Sequence, residues 1–241
     1  RAFLDRAVFN VTPAFLDESR EYGRALKSRN RLLKERAPMS HLQAWDATLA
    51  RLGARVWSRR RALLGQLAAR ATAAFADIGR SELQAAFTYA PSHLGADLDF
   101  AAAEEAALTE RLLTRLDERL SRDAERGFTS VGPHADDLDL SLGGHPARAF
   151  ASQGQARALV LAWKVAEIEN LHARNGFLPL LLLDDVSSEL DPERNAYLMG
   201  YLASSGAQTV LTTTDEKLVA RAAGAGTLWL DVARGAVRPR A

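Results

Sequence analysis

Four consecutive leucines, residues 180–183, run straight into two aspartates, Asp184 and Asp185. A strand without polar alternation is expected to be buried on both faces, as the central strands of parallel sheets are. Parallel strands need crossover helices to cover them, so this stretch commits the chain to an α/β arrangement. Ligands of open α/β sheets bind beyond the carboxyl ends of the strands, and the two aspartates stand at that end. Adjacent carboxylates repel one another there, and a cation resolves the conflict. Asp184 is placed to hold Mg²⁺, which takes one or two protein carboxylates together with phosphate oxygens. Asp185 is placed to orient or deprotonate an attacking water. A solvated turn after an apolar strand is the plain alternative.

The flanking segments narrow the choice. Ala151-Ser152-Gln153-Gly154-Gln155 opens a helix that is expected to reach about Arg174, with Gly176 past its end. Glycine lets backbone N–H groups approach a ligand closely, and a helix N-terminus carries partial positive charge suited to phosphate. Beyond the leucine strand come Ser188-Glu189-Leu190-Asp191, a helix from Pro192 to about Ala203 and a strand over 208–212. A helix after Asp215 and a last strand near 228–230 follow. Upstream, Phe128–Val131 reads as a short strand. Leu138, Leu140 and Leu142 alternate with polar residues up to Gly143-Gly144, a hairpin turn. Strands alternating with helices predict a sheet that is mostly parallel at its centre.

The first half reads differently. Thr12-Pro13 looks like an N-cap followed by proline at the first helical position, opening a helix that runs to about Arg36, before Pro38. Ser40 caps a longer helix to Gly79 with an apolar stripe that includes Leu42, Leu49, Val56, Leu63 and Phe75. Leu83, Ala85, Phe87 and Tyr89 alternate as a strand does, and Phe100 to Arg126 is helical again. The composition changes near residue 127, which divides the chain into a largely helical 1–127 and an α/β 128–241. Residues 20–61 carry twelve Lys or Arg against three Asp or Glu. Such a run is either a solvated helix face or the footprint of a phosphate backbone, whose counterions basic side chains displace. Lys27, Arg29, Arg31, Arg59, Arg60 and Arg61 are the candidates for contact with such phosphates. The chain has no cysteine, which excludes disulfides and thiolate metal sites. It has no secretory signal and no apolar run of the roughly 18–20 residues that a membrane span needs, which fits a cytoplasmic location and no membrane partner.

Taken in order, "RAFLDRAVFNV", "YGRALKSRNRLLKE", "VGPHADDL", "ASQGQARAL", "LLLLDDVSSELD" and "TVLTTTD" resemble segments of the RecF family. These are bacterial recombination and gap-repair ATPases related to ABC and SMC-type heads. The resemblance implies a signature loop at Ser152, Gln153, Gly154 and Gln155 that contacts the γ-phosphate of ATP held by an opposite subunit. It implies a Walker B strand whose Asp184 ligates Mg²⁺ and whose Asp185 polarises the water. A D-loop through Ser188 and Asp191 would cross a dimer interface, and Thr214 would occupy the switch position. Residues 1–127 would form the lid or arm domain, and 128–241 the C-terminal lobe of an ABC-type head. The implied cofactors are ATP and Mg²⁺. The implied partners are gapped or junction DNA, RecR and a second copy in an ATP-dependent homodimer, with RecA loading as the outcome.

Three departures qualify those implications. Thr214 stands where many ABC ATPases have histidine. Asp185 stands where transporters carry glutamate, which implies slow hydrolysis. No G-x-x-x-x-G-K-[ST] occurs in the 241 residues, whereas in the family it precedes the segment that begins here. The expectation is that the N-terminal portion is absent and that these residues alone are inactive as an ATPase. Two other readings stay open. One is the nucleotide-binding subunit of an ABC transporter, and the other is a non-catalytic scaffold for DNA or protein.

Overall fold

The computed structural model describes residues 2–79, 82–95, 98–224 and 226–240. Two helices open the chain, α1 (Ala2–Val11) and α2 (Phe15–Lys34). Thr12 closes α1 rather than capping α2: its N–H donates to the Val8 carbonyl at 2.8 Å, and α2 begins after Ala14 without a side-chain cap. Helix α3 (Met39–Gly79) is 41 residues long, about 60 Å at 1.5 Å per residue. Its start at Met39, just past Pro38, puts Ser40 inside the first turn.

Strand β1 (Ala85–Ala90) follows, then α4 (Glu105–Glu118) and α5 (Leu120–Arg126). The single helix expected over 100–126 therefore begins later and is broken at Arg119. Its first residues form a turn held by Asp99, whose Oδ1 accepts from the N–H groups of Ala101 and Ala102. Leu108, Leu112 and Leu116 of α4 are fully buried, one turn apart along one face.

Residues 128–131 are no strand. Their polar groups are taken by side chains instead: Thr129 N–H donates to Asn30 Oδ1 at 2.8 Å, and Ser130 N–H to Asp123 Oδ1 at 3.1 Å. Strand β2 (Asp137–Leu142) pairs antiparallel with β1, Phe87 opposite Leu140, and with the short β3 (His145–Pro146). Gly143 and Gly144 both have positive φ, as the two-residue hairpin turn requires. Helix α6 (Ala147–Phe150) ends this part.

Next come α7 (Gln153–Asn175), β4 (Leu181–Asp184), a 3-10 turn (Val186–Glu189), α8 (Pro192–Ser205) and β5 (Thr209–Thr212). β4 and β5 pair in parallel, Asp184 opposite Thr212. After Asp215 there is one 3-10 turn, Glu216–Leu218, where a helix was expected; Gly224 and Gly226 disfavour its extension. A hairpin of β6 (Leu230–Ala233) and β7 (Ala236–Pro239) closes the chain.

The residues cluster into two units, Arg1–Ala73 with Leu83–Phe150, and Ala74–Glu82 with Ala151–Ala241. The division falls after Phe150, not at the composition change near 127, because β2 pairs with β1 and carries 128–150 into the first unit. In the second unit Leu181, Leu198, Met199, Leu202 and Val219 form the core. The leucine strand is buried on one face only. Leu181 and Leu183 pack inward, whereas Leu182 is 72% exposed beside Val210 at 53%. With two strands in this sheet among the described residues, the second face has nothing over it. No helix among the described residues is long and apolar enough to cross a membrane.

Gly53 shows how tightly α3 is packed. A Cβ there would lie 2.6 Å from Leu112 Cδ2 and 3.2 Å from the Tyr22 ring. Gly53→Ala gains about 1 kcal/mol in helix propensity but overpacks the contact, at a cost of about 1–3 kcal/mol. The expected result is a lower melting temperature in thermal denaturation; a higher one would mean that Leu112 moves aside freely.

Candidate functional site

The parallel register places Thr212 beside the carboxylate pair, and this hydroxyl ties both aspartates together. Thr212 Oγ1 donates to Asp184 Oδ1 at 2.6 Å and accepts from the Asp185 N–H at 3.0 Å. Asp184 is exposed. Asp185 is half-buried and has left-handed backbone (φ 46°), a region in which Asp and Asn are several-fold enriched among non-glycine residues. Strained backbone of this kind clusters at functional sites. Thr212 was not among the candidates from sequence; its position opposite Asp184 follows only from the register.

The helix α7 begins with a capping box. Ser152 Oγ accepts from the Gln155 N–H at 3.2 Å, and Gln155 Oε1 accepts from the Ser152 N–H at 2.8 Å. The first intrahelical bond is donated by Ala156, so the N–H groups of Gln153 and Gly154 point out of the helix end without an intrahelical acceptor. Together with the helix dipole they form a surface suited to an anion. The sequence reading anticipated this cap, and Gly176, in left-handed conformation, ends the helix.

Gly154 also receives Arg194 of α8. A Cβ on Gly154 would sit 3.0 Å from Arg194 Nη1 and 3.3 Å from Cζ. The same guanidinium is ion-paired with Asp191, and the Arg194 N–H donates to Asp191 Oδ1 at 3.1 Å as the helix cap. Arg194 therefore joins the start of α7 to the start of α8, a role that no local sequence pattern marks. Asp191, expected from the resemblance in a D-loop, is the N-cap of α8. Ser188 lies in the 3-10 turn before it, and its side chain is outside the described residues. Thr214 is exposed just past β5, within a small turn closed by Thr213 Oγ1 and Asp215.

The Arg194 backbone N–H, and then its guanidinium, hold the Asp191 carboxyl below its ordinary 3.8. Its ionised form therefore favours the folded state above pH 3.8, and that contribution disappears as the pH falls through the lowered folded value. Asp191→Ala should cost about 1 kcal/mol at neutral pH, read as a fall in melting temperature that narrows in strong acid. A difference that persists unchanged in acid would show that the carboxylate's charge is not what caps the helix.

The basic candidates separate by burial. Arg29 is fully buried and donates to Asp46 (2.7 Å), Asp123 (3.1 Å) and Thr129 (2.9 Å). Arg60 is 4% exposed and is held by Asp5, by the Tyr89 hydroxyl and by the Pro133 carbonyl at 2.6 Å. Neither reaches a phosphate, which corrects the expectation for these two; a cation enters a core only when carboxylates and carbonyls accompany it. Arg59 forms a bidentate pair with Glu18, and Arg61 donates to the carbonyls of Phe100 and Ala103. Lys27 and Arg31 are exposed. His134 of "VGPHADDL" is structural in its contacts. Its Nε2 lies 2.9 Å from the Thr129 carbonyl and must donate, so Nδ1 accepts from the Tyr22 hydroxyl at 2.6 Å. In the same segment Asp136 is buried and accepts from Trp57, Tyr89 and Ser92; burial pushes its carboxyl above the ordinary range.

As a metal site the aspartate pair is sparse. Among the described residues no group of three or more His, Cys, Asp or Glu could hold an ion. One Asp184 oxygen is taken by Thr212, which leaves the other as a ligand. This suits a cation that draws most of its shell from phosphate and water, as Mg²⁺ does, and does not suit an all-protein cage.

No protein-family model matches the chain. The DNA replication and repair protein RecF of Myxococcus xanthus (strain DK1622) is 66% identical over 243 residues, covering 100% of this chain and 63% of that protein. The protein of the same name from Geobacter metallireducens is 40% identical over 239 residues, covering 99% and 64%. Two solved structures match over the whole chain and 62% of their own. One is the recombination mediator protein RecF-ATP of the RecFOR pathway (30% identity, TM-score 0.84), the other its RecF-ATPrS form (29%, 0.85). The chain thus spans a little under two thirds of the length of the curated relatives it matches.

Proposed function

This chain belongs to the RecF family, and from that membership we propose that it is part of an ATP-dependent DNA-binding protein of recombinational gap repair. The observation that carries the reading is the carboxylate pair at the end of β4, with both members fixed by Thr212. In this reading the unit containing α7, β4 and α8 is the C-terminal lobe of an ABC-type ATPase head, and the helical unit is its lid or arm. Asp184 holds Mg²⁺, which supplies charge neutralisation to the nucleotide phosphates. Asp185 orients the attacking water and accepts its proton. Ser152, Gln153, Gly154 and Gln155 present N–H groups and side chains to the γ-phosphate of ATP on a second copy, and Asp191 and Ser188 lie at that junction. Thr214 takes the switch position.

The G-x-x-x-x-G-K-[ST] loop is not among these 241 residues, so the reading requires it to come from outside them. The working protein is a cytoplasmic homodimer that closes on gapped or junction DNA when ATP binds and reopens on hydrolysis. It acts with RecR to promote RecA loading. The test is DNA retention with and without ATP by a protein that carries this chain together with its phosphate loop. Retention that depends on ATP, and lasts longer in Asp185→Asn, supports the clamp. Retention indifferent to ATP and to the substitution rejects it in favour of a non-catalytic scaffold.

A further inference from the structure

The outward face of α2 carries a row of cations that are little paired among the described residues. Helix geometry turns about 100° per residue, which places Arg20, Arg24, Lys27, Arg31 and Lys34 within an arc of about 80°. All five are exposed. Phe15, Tyr22, Ala25, Arg29 and Leu33 are the buried residues of the same helix, and their mean direction lies roughly opposite the row. The cations therefore point straight away from the core along about 21 Å of helix. Arg29, on the opposite side of the helix, shows the contrast: it turns inward to Asp46 and Asp123.

The row is poorly neutralised. Asp17 lies 3.8 Å from Arg20 and Glu35 lies 3.9 Å from Arg31, both pairs well exposed, where an ion pair contributes little. Among the described residues Arg24, Lys27 and Lys34 have no ion pair. Beside the row runs an open groove of about 480 Å³ along Gly23, Lys27, Asn30, Arg31 and Lys34. Gly23 is unexplained by packing, since a Cβ there would meet nothing within 4 Å. Glycine weakens a helix interior, and what it provides here is a close approach to the backbone beside the cations.

We propose that this face of α2 is a docking surface for the sugar-phosphate backbone of duplex DNA. The inference rests on the RecF reading above and names the surface by which the chain meets its nucleic acid. A straight row of five like charges over about 21 Å matches a rigid polyanion whose charges are spaced regularly along an axis. A membrane surface fits it less well, because helices that lie on bilayers need a large apolar face beside the basic one. Between Arg20 and Lys34 that arc holds only the five cations, with Gly23 at its edge. The contacts are to phosphate, so they add affinity without choosing a base sequence.

The test compares a protein that carries this chain together with its phosphate loop, with ATP present, with its Lys27→Gln/Arg31→Gln/Lys34→Gln variant in binding a short duplex over a range of salt. A control triple removes three exposed arginines elsewhere, Arg148, Arg174 and Arg221. Each phosphate contact contributes about 0.9 to the slope of log affinity against log salt, so the α2 triple should lose up to about 2.7. Between 50 and 200 mM salt, wild-type binding then weakens about 40-fold more than that of the variant. The control triple should keep the wild-type slope, and all three proteins should melt together. Duplex binding by the wild type with an equal slope in the α2 triple overturns the surface while leaving the DNA reading intact. No duplex binding by the wild type at any salt overturns both. Equal affinity for polyglutamate or for anionic vesicles shows a general anion patch and also overturns the proposal.

Discussion

Arg29→Ala is expected to destabilise the helical unit by about 3–5 kcal/mol, the usual consequence of deleting one partner of a buried charge cluster. The guanidinium is fully buried between α2, α3, α5 and the 128–131 segment, and its Nε and Nη1 donate to Asp46, Asp123 and Thr129. Removing it leaves two buried carboxylates, Asp46 at 4% and Asp123 at 0% exposure, facing each other without a counter-charge. Lysine should not rescue the fold, because a single ammonium cannot reproduce the planar fork that reaches two carboxylates and a hydroxyl. Asp46→Asn in the Arg29→Ala background should recover part of the loss by removing one stranded charge. The measurement is urea denaturation read by hydrogen exchange at the α2 and α3 amides. A loss below about 1 kcal/mol, the scale of an exposed pair, would show that water enters and replaces the arginine.

Asp185→Asn should lower ATP turnover by about 10²–10⁴-fold, the range assigned to a positioned general base, in a protein that carries this chain with its phosphate loop. The substitution is unusually clean here. Asp185 has φ 46°, and Asn tolerates the left-handed region as well as Asp does, so the backbone N–H keeps its bond to Thr212. What is lost is the ability to accept a proton. Asp184→Asn should act differently, weakening Mg²⁺-dependent nucleotide binding before it affects the chemical step, because a neutral amide is a poor ligand for a hard cation. Single-turnover hydrolysis and nucleotide titration with and without Mg²⁺ separate the two. Unchanged turnover in Asp185→Asn would leave the carboxylate with a structural role only.

The left-handed backbone at Asp185 also bears on why aspartate, not glutamate, stands there. Short side chains that bond locally are the ones that tolerate this conformation. Asp185→Glu is therefore constrained by backbone strain.

Local chemistry in the sequence determined much of what the structure contains. Ser152 and Gln155 at capping-box spacing, Asp191 before Pro192, Gly143-Gly144 between alternating strands and the leucines before Asp184 each specify an element end through bonds made within a few residues. The pattern of signature loop, apolar strand and carboxylate pair pointed to a phosphate site for the same reason, since each part is a short-range motif. Tertiary structure alone decided the rest. A run of arginines reads alike whether its members are exposed or buried, so Arg29 and Arg60 could be separated from Lys27 and Arg31 only by the carboxylates at Asp46, Asp123 and Asp5 that meet them across the fold. Thr212 joins the site through strand register, Arg194 through the meeting of two helix ends, and Leu182, which the pleat turns to the face opposite Leu181 and Leu183, stands exposed because that face is left uncovered among the described residues. These are contacts between residues distant in sequence, and burial and pairing are properties of the assembled neighbours, not of the residue itself.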